Sequence, residues 1–161
     1  MPNEVIISIQ QDTAQRILNR VNQWEAILIN LPMDLLLNKR NLKNRTIKEI
    51  TGHLIDLASN THHKIVHLQY NTALIFPDLS AHNDTWVACQ QYQDANWENL
   101  VSLWKFYNIH LSHVMENVST ENLNNTWTNK EGEEITLQEI IESYLWHLNL
   151  HLYEIEAIIK E

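Results

Sequence analysis

The stretch TLQEIIESYLWHLNLHLYEI, Thr136 to Ile155, combines a helix start, a helical period and two histidines four residues apart. Thr136 and Glu139 have the spacing of a capping box, in which the hydroxyl accepts the third helical amide and the carboxylate reaches back to the cap amide. Beyond it, Leu137, Ile140, Ile141, Tyr144, Leu148, Leu152, Ile155 and Ile159 mark one apolar face. Tyr144, His147, His151 and Ile155 follow one another at steps of three, four and four, so the histidines border or join that face. Imidazoles buried there need partners for their nitrogens. Residues i and i+4 lie ~6 Å apart along the axis and ~40° apart around it, so both rings can address one point.

The same two signals organise the rest of the chain. A second capping box, TIKE at Thr46–Glu49, leads into Ile47, Ile50, Leu54, Leu57, Ile65 and Leu68, and this helix should fade near Tyr70 and Asn71. A first helix is expected from Glu4 to Ile29, with Ile6, Ile9, Ile17, Val21, Trp24 and Leu28 inward, ending ahead of Pro32. A third is expected from Asp94 or Asn96 to Val118, carrying Trp97, Leu100, Leu103, Trp104, Tyr107, Leu111 and Val114. Asn71–Asp94, between the second and third helices, is irregular and contains Pro77; a helical excursion is expected over Thr85–Tyr92. Ahead of the last helix, TWT (Thr126–Thr128) and EEIT (Glu133–Thr136) flank a turn at NKEG and read as a small hairpin. The expectation is an all-α four-helix bundle with a long connection between helices 2 and 3, forming one domain over residues 1–161.

Composition agrees with long helices, since two glycines and three prolines supply few tight turns. Six tryptophans call for a sizeable packed core or an aromatic-lined cavity. A net charge of −9, from 11 basic and 20 acidic residues, argues against nucleic acid as a partner. The densest basic stretch, with Lys39, Arg40, Lys43, Arg45 and Lys48, reads as a solvated loop and helix start. Cys89 is the only cysteine, so no internal disulfide is possible. No signal peptide is read at the N-terminus, and no apolar run suits a membrane span, so a cytoplasmic location is expected.

His53 falls between Ile50 and Leu54 on the second helix and faces the bundle interior. With His147 and His151 it would offer three neutral nitrogens from two helices, leaving positions open for water or substrate as catalytic metal sites do. Chance has to be weighed, because the chain holds nine histidines. His63 and His67 form another i,i+4 pair, read as surface residues, and His110 and His113 an i,i+3 pair beside Glu116. His62 and His82 carry no pattern. Spacing alone leaves open a metal site, a satisfied core pair, or histidines that have lost their metal.

TIKEITGHLIDLASN from Thr46 and TLQEIIESYLWHLNLH from Thr136 together resemble the DinB-like/YfiT superfamily. In that family a helix-start Thr-x-x-Glu leads into His-Leu-x-Asp, and a late helix carries His-x-x-x-His. The resemblance implies a metal-binding four-helix bundle, usually dimeric, with His53, His147 and His151 as ligands for nickel or zinc. It implies a small-molecule substrate, with either water activated for hydrolysis or a low-molecular-weight thiol activated for S-transfer. The alternative is a non-catalytic metal- or ligand-binding bundle of the stress response. Leu152 and Tyr153 stand where the family often has a further histidine and Gly-Gln, so no particular thiol carries over. Asp56 matches the acid of His-Leu-x-Asp and would orient a ligand imidazole, act as a base, or be a surface or helix-packing carboxylate. Glu154 could approach the site, though a solvated role suits it better. Tyr144, Trp146 and Trp104 would be core or cavity wall, and Cys89 inert.

Overall fold

Side-chain caps begin the long helices. The computed structural model describes residues 7–161 and contains α1 (Ile9–Ile29), α2 (Met33–Leu37), α3 (Ile47–Leu68), α4 (Asn83–Gln90), α5 (Trp97–Glu116) and α6 (Leu137–Lys160). Both expected capping boxes form, with the Glu49 and Glu139 carboxylates each accepting from the amide of their cap threonine at 2.8 Å. A third box, Ser8 with Gln11, opens α1. The expected start at Glu4, with inward Ile6, lies outside the described residues. Asn96 caps α5 through the amide of Asn99. Each such cap contributes about 1 kcal/mol.

The four long helices do not pack in chain order. α1 lies against α5 and α6, and α3 against the same two, which puts consecutive α1 and α3 on one diagonal and α5 and α6 on the other. Short hairpin loops cannot join diagonal helices, so residues 30–46 and 117–136 travel across the end of the bundle. The first crossing carries α2, which buries Leu36. The second carries the small hairpin.

One cluster of buried apolar side chains runs through the bundle. Ile17, Val21 and Leu28 of α1, Ile50, Leu54 and Ile65 of α3, Trp104 and Leu111 of α5, and Leu148 and Leu152 of α6 are all fully enclosed. Each contributes on the order of 1.5–3 kcal/mol by leaving water. Tyr144 of α6 crosses this core to donate its hydroxyl proton to Asn108 Oδ1 of α5. Asn108 in turn donates to the Trp104 carbonyl at 2.8 Å, so the polar pair is satisfied in apolar surroundings. Leu103 departs from expectation: it is 50% exposed, because the inward stripe of α5 runs through Trp97, Leu100, Val101, Trp104, Asn108, Leu111 and Met115. Ile158 rather than Ile159 is the buried residue of the last turn of α6.

The hairpin forms as expected and gains a partner that was not. β2 (Thr126–Thr128) and β3 (Glu134–Thr136) pair antiparallel, with Gly132 at φ 83° in their turn, and β1 (Ala73–Ile75) adds to β2 in parallel. β1 brings the irregular connection after α3 against the segment before α6. The helical excursion is α4, and Gln91, in the left-handed region at φ 50°, then turns Tyr92 back onto α3.

The basic stretch is only partly solvated. Lys48 is buried and donates to the Ala95 carbonyl, while buried Arg45 pairs with Asp84 across to α4 at 2.5 Å. Both cations tie the start of α3 to the connection that follows it. Among the described residues no helix is long and apolar enough to cross a membrane.

Candidate metal centre

The seam between α3 and α6 is where the apolar core gives way to polar side chains. His53 of α3 and His151 of α6 are each 5% exposed, and their rings meet edge to face with centroids 4.6 Å apart. His147, one turn before His151, is half-buried. All three line a single cavity of about 480 Å³ that also receives Lys43, Arg45 and Lys64.

Hydrogen bonds assign the ring nitrogens. His151 Nδ1 lies 3.0 Å from Glu154 Oε2, and His147 Nδ1 lies 2.9 Å from the Ser143 carbonyl. A carboxylate and a carbonyl can only accept, so in the neutral rings Nδ1 carries the proton and Nε2 the lone pair. Glu154 also accepts from Asn41 Nδ2 at 3.2 Å, which ties the loop before α3 to the same carboxylate. Sequence spacing favoured a solvated Glu154; its i,i+3 relation to His151 was the available signal. His53 Nδ1 is buried with no partner among the described residues.

Electrostatics keep the buried pair neutral. Burial, followed by the fields of His151, Arg45, Lys43 and His147, pushes His53 down to about 3. Burial also lowers His151, with Glu154 opposing it. Neutral imidazole is the form that binds a metal ion, so the two buried rings fit that role. Among the described residues, however, no group of three His, Cys, Asp or Glu side chains is already arranged to hold an ion. The fold brings two imidazoles together and sets the third on the same wall.

Asp56 does not join the histidines. It is buried, but its Oδ1 accepts from Tyr92 Oη at 2.6 Å and Gln90 Nε2 at 2.7 Å, and it is absent from the cavity wall. Burial raises its pKa against the lowering effect of those two donors. The Tyr92 ring lies over Gly52, where a Cβ would fall 2.1 Å from it. Asp56 thus clamps Tyr92 onto α3 beside His53, a contact that sequence spacing could not reveal.

The remaining candidates separate as follows. His62 pairs with Tyr107 Oη at 3.0 Å and packs edge to face on His110 at 5.2 Å, away from the cavity. His63 stacks on Phe76, and His67 meets Tyr70. His113 lies 3.4 Å from Glu116 on the surface. Trp104 and Tyr144 are core, whereas Trp146 is 61% exposed at the cavity rim. Cys89 is exposed.

No family model and no curated protein sequence matches the chain. A solved structure does: YfiT from Bacillus subtilis, described as a probable metal-dependent hydrolase with an unusual four-helix bundle topology. The two superpose with a TM-score of 0.80 over 99% of this chain and 91% of that one, at 18% identity. This chain has the YfiT fold. The diagonal placement of consecutive helices is therefore a shared architecture, reached with little shared sequence.

Proposed function

We propose that the chain binds one divalent metal ion, nickel or zinc, through His53, His147 and His151 and catalyses a metal-dependent hydrolysis of a small molecule. The observation that carries this is the buried, edge-to-face pair of His53 and His151 at 4.6 Å on a cavity wall. The fold shared with YfiT, described as a probable metal-dependent hydrolase, supports the same kind of chemistry. The ion, when bound, would activate water or a thiol and polarise a substrate oxygen.

The protein's own part is orientation and neutrality of the imidazoles. Glu154 holds the proton of His151 at Nδ1, and the Ser143 carbonyl does the same for His147, so both Nε2 atoms keep a free lone pair for a metal ion. His147, on the same cavity wall, would supply the third nitrogen. Leu57, Ile140 and Tyr144 supply apolar cavity wall. Asp56 is a positioning residue here, acting through Tyr92 and the seating of α3, and not a base on the substrate.

Metal analysis of tag-free protein tests the centre: one equivalent is expected, and stoichiometric metal persisting in both His53→Ala and His147→Ala overturns the ligand set. Ester and amide hydrolysis, run beside thiol-plus-electrophile mixtures, then tests the reaction. Turnover only with a low-molecular-weight thiol would make the protein an S-transferase, and metal without turnover a binding module. A homodimer is proposed through the outward stripe of α6, where Trp146, Leu150 and Tyr153 are exposed at helical spacing. Sedimentation of wild type and Tyr153→Glu checks that, with a wild-type monomer as the contrary result.

A further inference from the structure

The cavity has a second end, remote from the histidines. His53, Leu57, Asn60, Thr61 and Lys64 all line it from α3, at steps that keep them on one helix face. From His53 to Lys64 that face rises ~16 Å. At the far end Lys64 Nζ stands 3.4 Å from the centroid of the Trp127 ring. That ring is fixed in turn by its N–H, which donates to the Phe76 carbonyl at 2.9 Å.

Lys64 is left without a counter-charge. No carboxylate among the described residues is within ion-pair distance of it. Burial lowers the Lys64 pKa and Asp78, on the same wall, opposes that, but the Asp78 carboxylate accepts from the backbone amides of Ser80 at 3.0 Å and Lys130 at 3.5 Å. Asn60, one turn before Lys64, also lines the cavity, and its side chain makes no hydrogen bond to another described residue. Arg45, by contrast, already pairs with Asp84. A chain of net charge −9 has thus gathered Lys43, Arg45 and Lys64 around one cavity whose wall holds a single carboxylate, Asp78. A half-buried cation resting on an aromatic face gains little stability by itself; it suits a ligand that brings the missing negative charge.

We propose that Lys64, Asn60 and the Trp127 ring form an anion-binding subsite for an elongated substrate with a carboxylate or phosphate at the end remote from the histidines. The subsite rests on the metal-centre reading only for which end of the substrate reacts. Lys64 supplies the charge, Asn60 an amide donor, and Trp127 a flat wall for the chain of the ligand.

The test is a titration of full-length, metal-free protein with hexanoate, hexyl phosphate and hexanol, followed by 1H–15N spectra. Saturable shifts of the Trp127 indole and Lys64 amide are expected with at least one anion and not with hexanol, and the tighter anion names the class. Lys64→Met should weaken anion binding at least tenfold and Lys64→Arg should retain it. Hexanol shifting the same signals as strongly, or anion binding unchanged in Lys64→Met, overturns the proposal. Because no carboxylate forms an ion pair with the lysine and methionine can still pack on Trp127, Lys64→Met should melt like wild type; a large loss of melting temperature marks a structural lysine and also overturns it. Metal analysis on the same samples keeps the two readings apart. Anion response without metal binding retains the subsite and sinks the metal centre, while metal binding without anion response does the reverse.

Discussion

Two pairs of histidines bridge α3 to a neighbouring helix, and they differ in almost everything but geometry. His53 and His151 meet edge to face at 4.6 Å, His62 and His110 at 5.2 Å. The first pair is buried, opens on a cavity, and leaves His53 Nδ1 with no described partner. The second is partly solvated, lies off the cavity, and has His62 Nδ1 on the Tyr107 hydroxyl. Ring proximity alone therefore does not make a site. Burial that favours the neutral ring, together with a place on a cavity wall, separates the first pair from a packing pair.

Removing each pair in turn should have the largest contrast. His53→Ala or His151→Ala is expected to abolish stoichiometric metal, while His62→Ala and His110→Ala leave it intact; metal analysis and turnover on all four variants read this out. Equal loss from both pairs would break the distinction.

The acid limb of stability should single out the same pair. His53 titrates at about 3 in the folded protein, against an ordinary value of 6.5. The unfolded chain therefore binds the proton first, and metal-free protein is fully stabilised above pH 6.5 but loses on the order of a few kcal/mol as pH falls towards 3. Urea unfolding from pH 8 to 4 should show that slope, flattened in His53→Leu and unchanged in His110→Leu.

A smaller effect is expected at the carboxylate that orients His151. Glu154→Gln should weaken metal binding about 10- to 100-fold with the fold intact, as measured by competition with a chelating dye. An unchanged affinity would mean that His151 is held by packing alone.

Packing around His53 can be disturbed without touching a nitrogen. Gly52→Ala should cost about 1–3 kcal/mol by overpacking, since the new Cβ displaces Tyr92 from Asp56. Thermal unfolding measures it, and wild-type stability would show that Tyr92 has room to move. The smallest change belongs to the other pair: Tyr107→Phe removes the partner of His62 for about 1 kcal/mol or less, with metal content unaltered.

The distinction between the pairs follows how much of each was legible in the chain. Helix existence was legible because Thr46 with Glu49, and Thr136 with Glu139, are local signals that the backbone satisfies within one turn. His53 and His151 were candidates because each interrupts an apolar stripe. Leu103 was misplaced because its steps of three from Leu100 and four to Tyr107 fit more than one face until the neighbouring helices choose between them. The clamp of Asp56 on Tyr92 joins residues far apart along the chain. So does the parallel pairing of β1 with β2, and neither has a local signature.

Sequence by itself determined the long helices, the capped starts of α3 and α6, and that His53 and His151 sit on inward faces, because these depend on contacts within a few residues. Only the tertiary structure decided that α3 lies beside α6 and diagonal to α1, since that choice belongs to the packing of faces and the reach of the crossings. It also decided that His53 and His151 meet, that Glu154 holds one of them, and that Lys64 shares their cavity. Each of these is a meeting between side chains on different elements, and the pattern of either element alone contains no distance to the other.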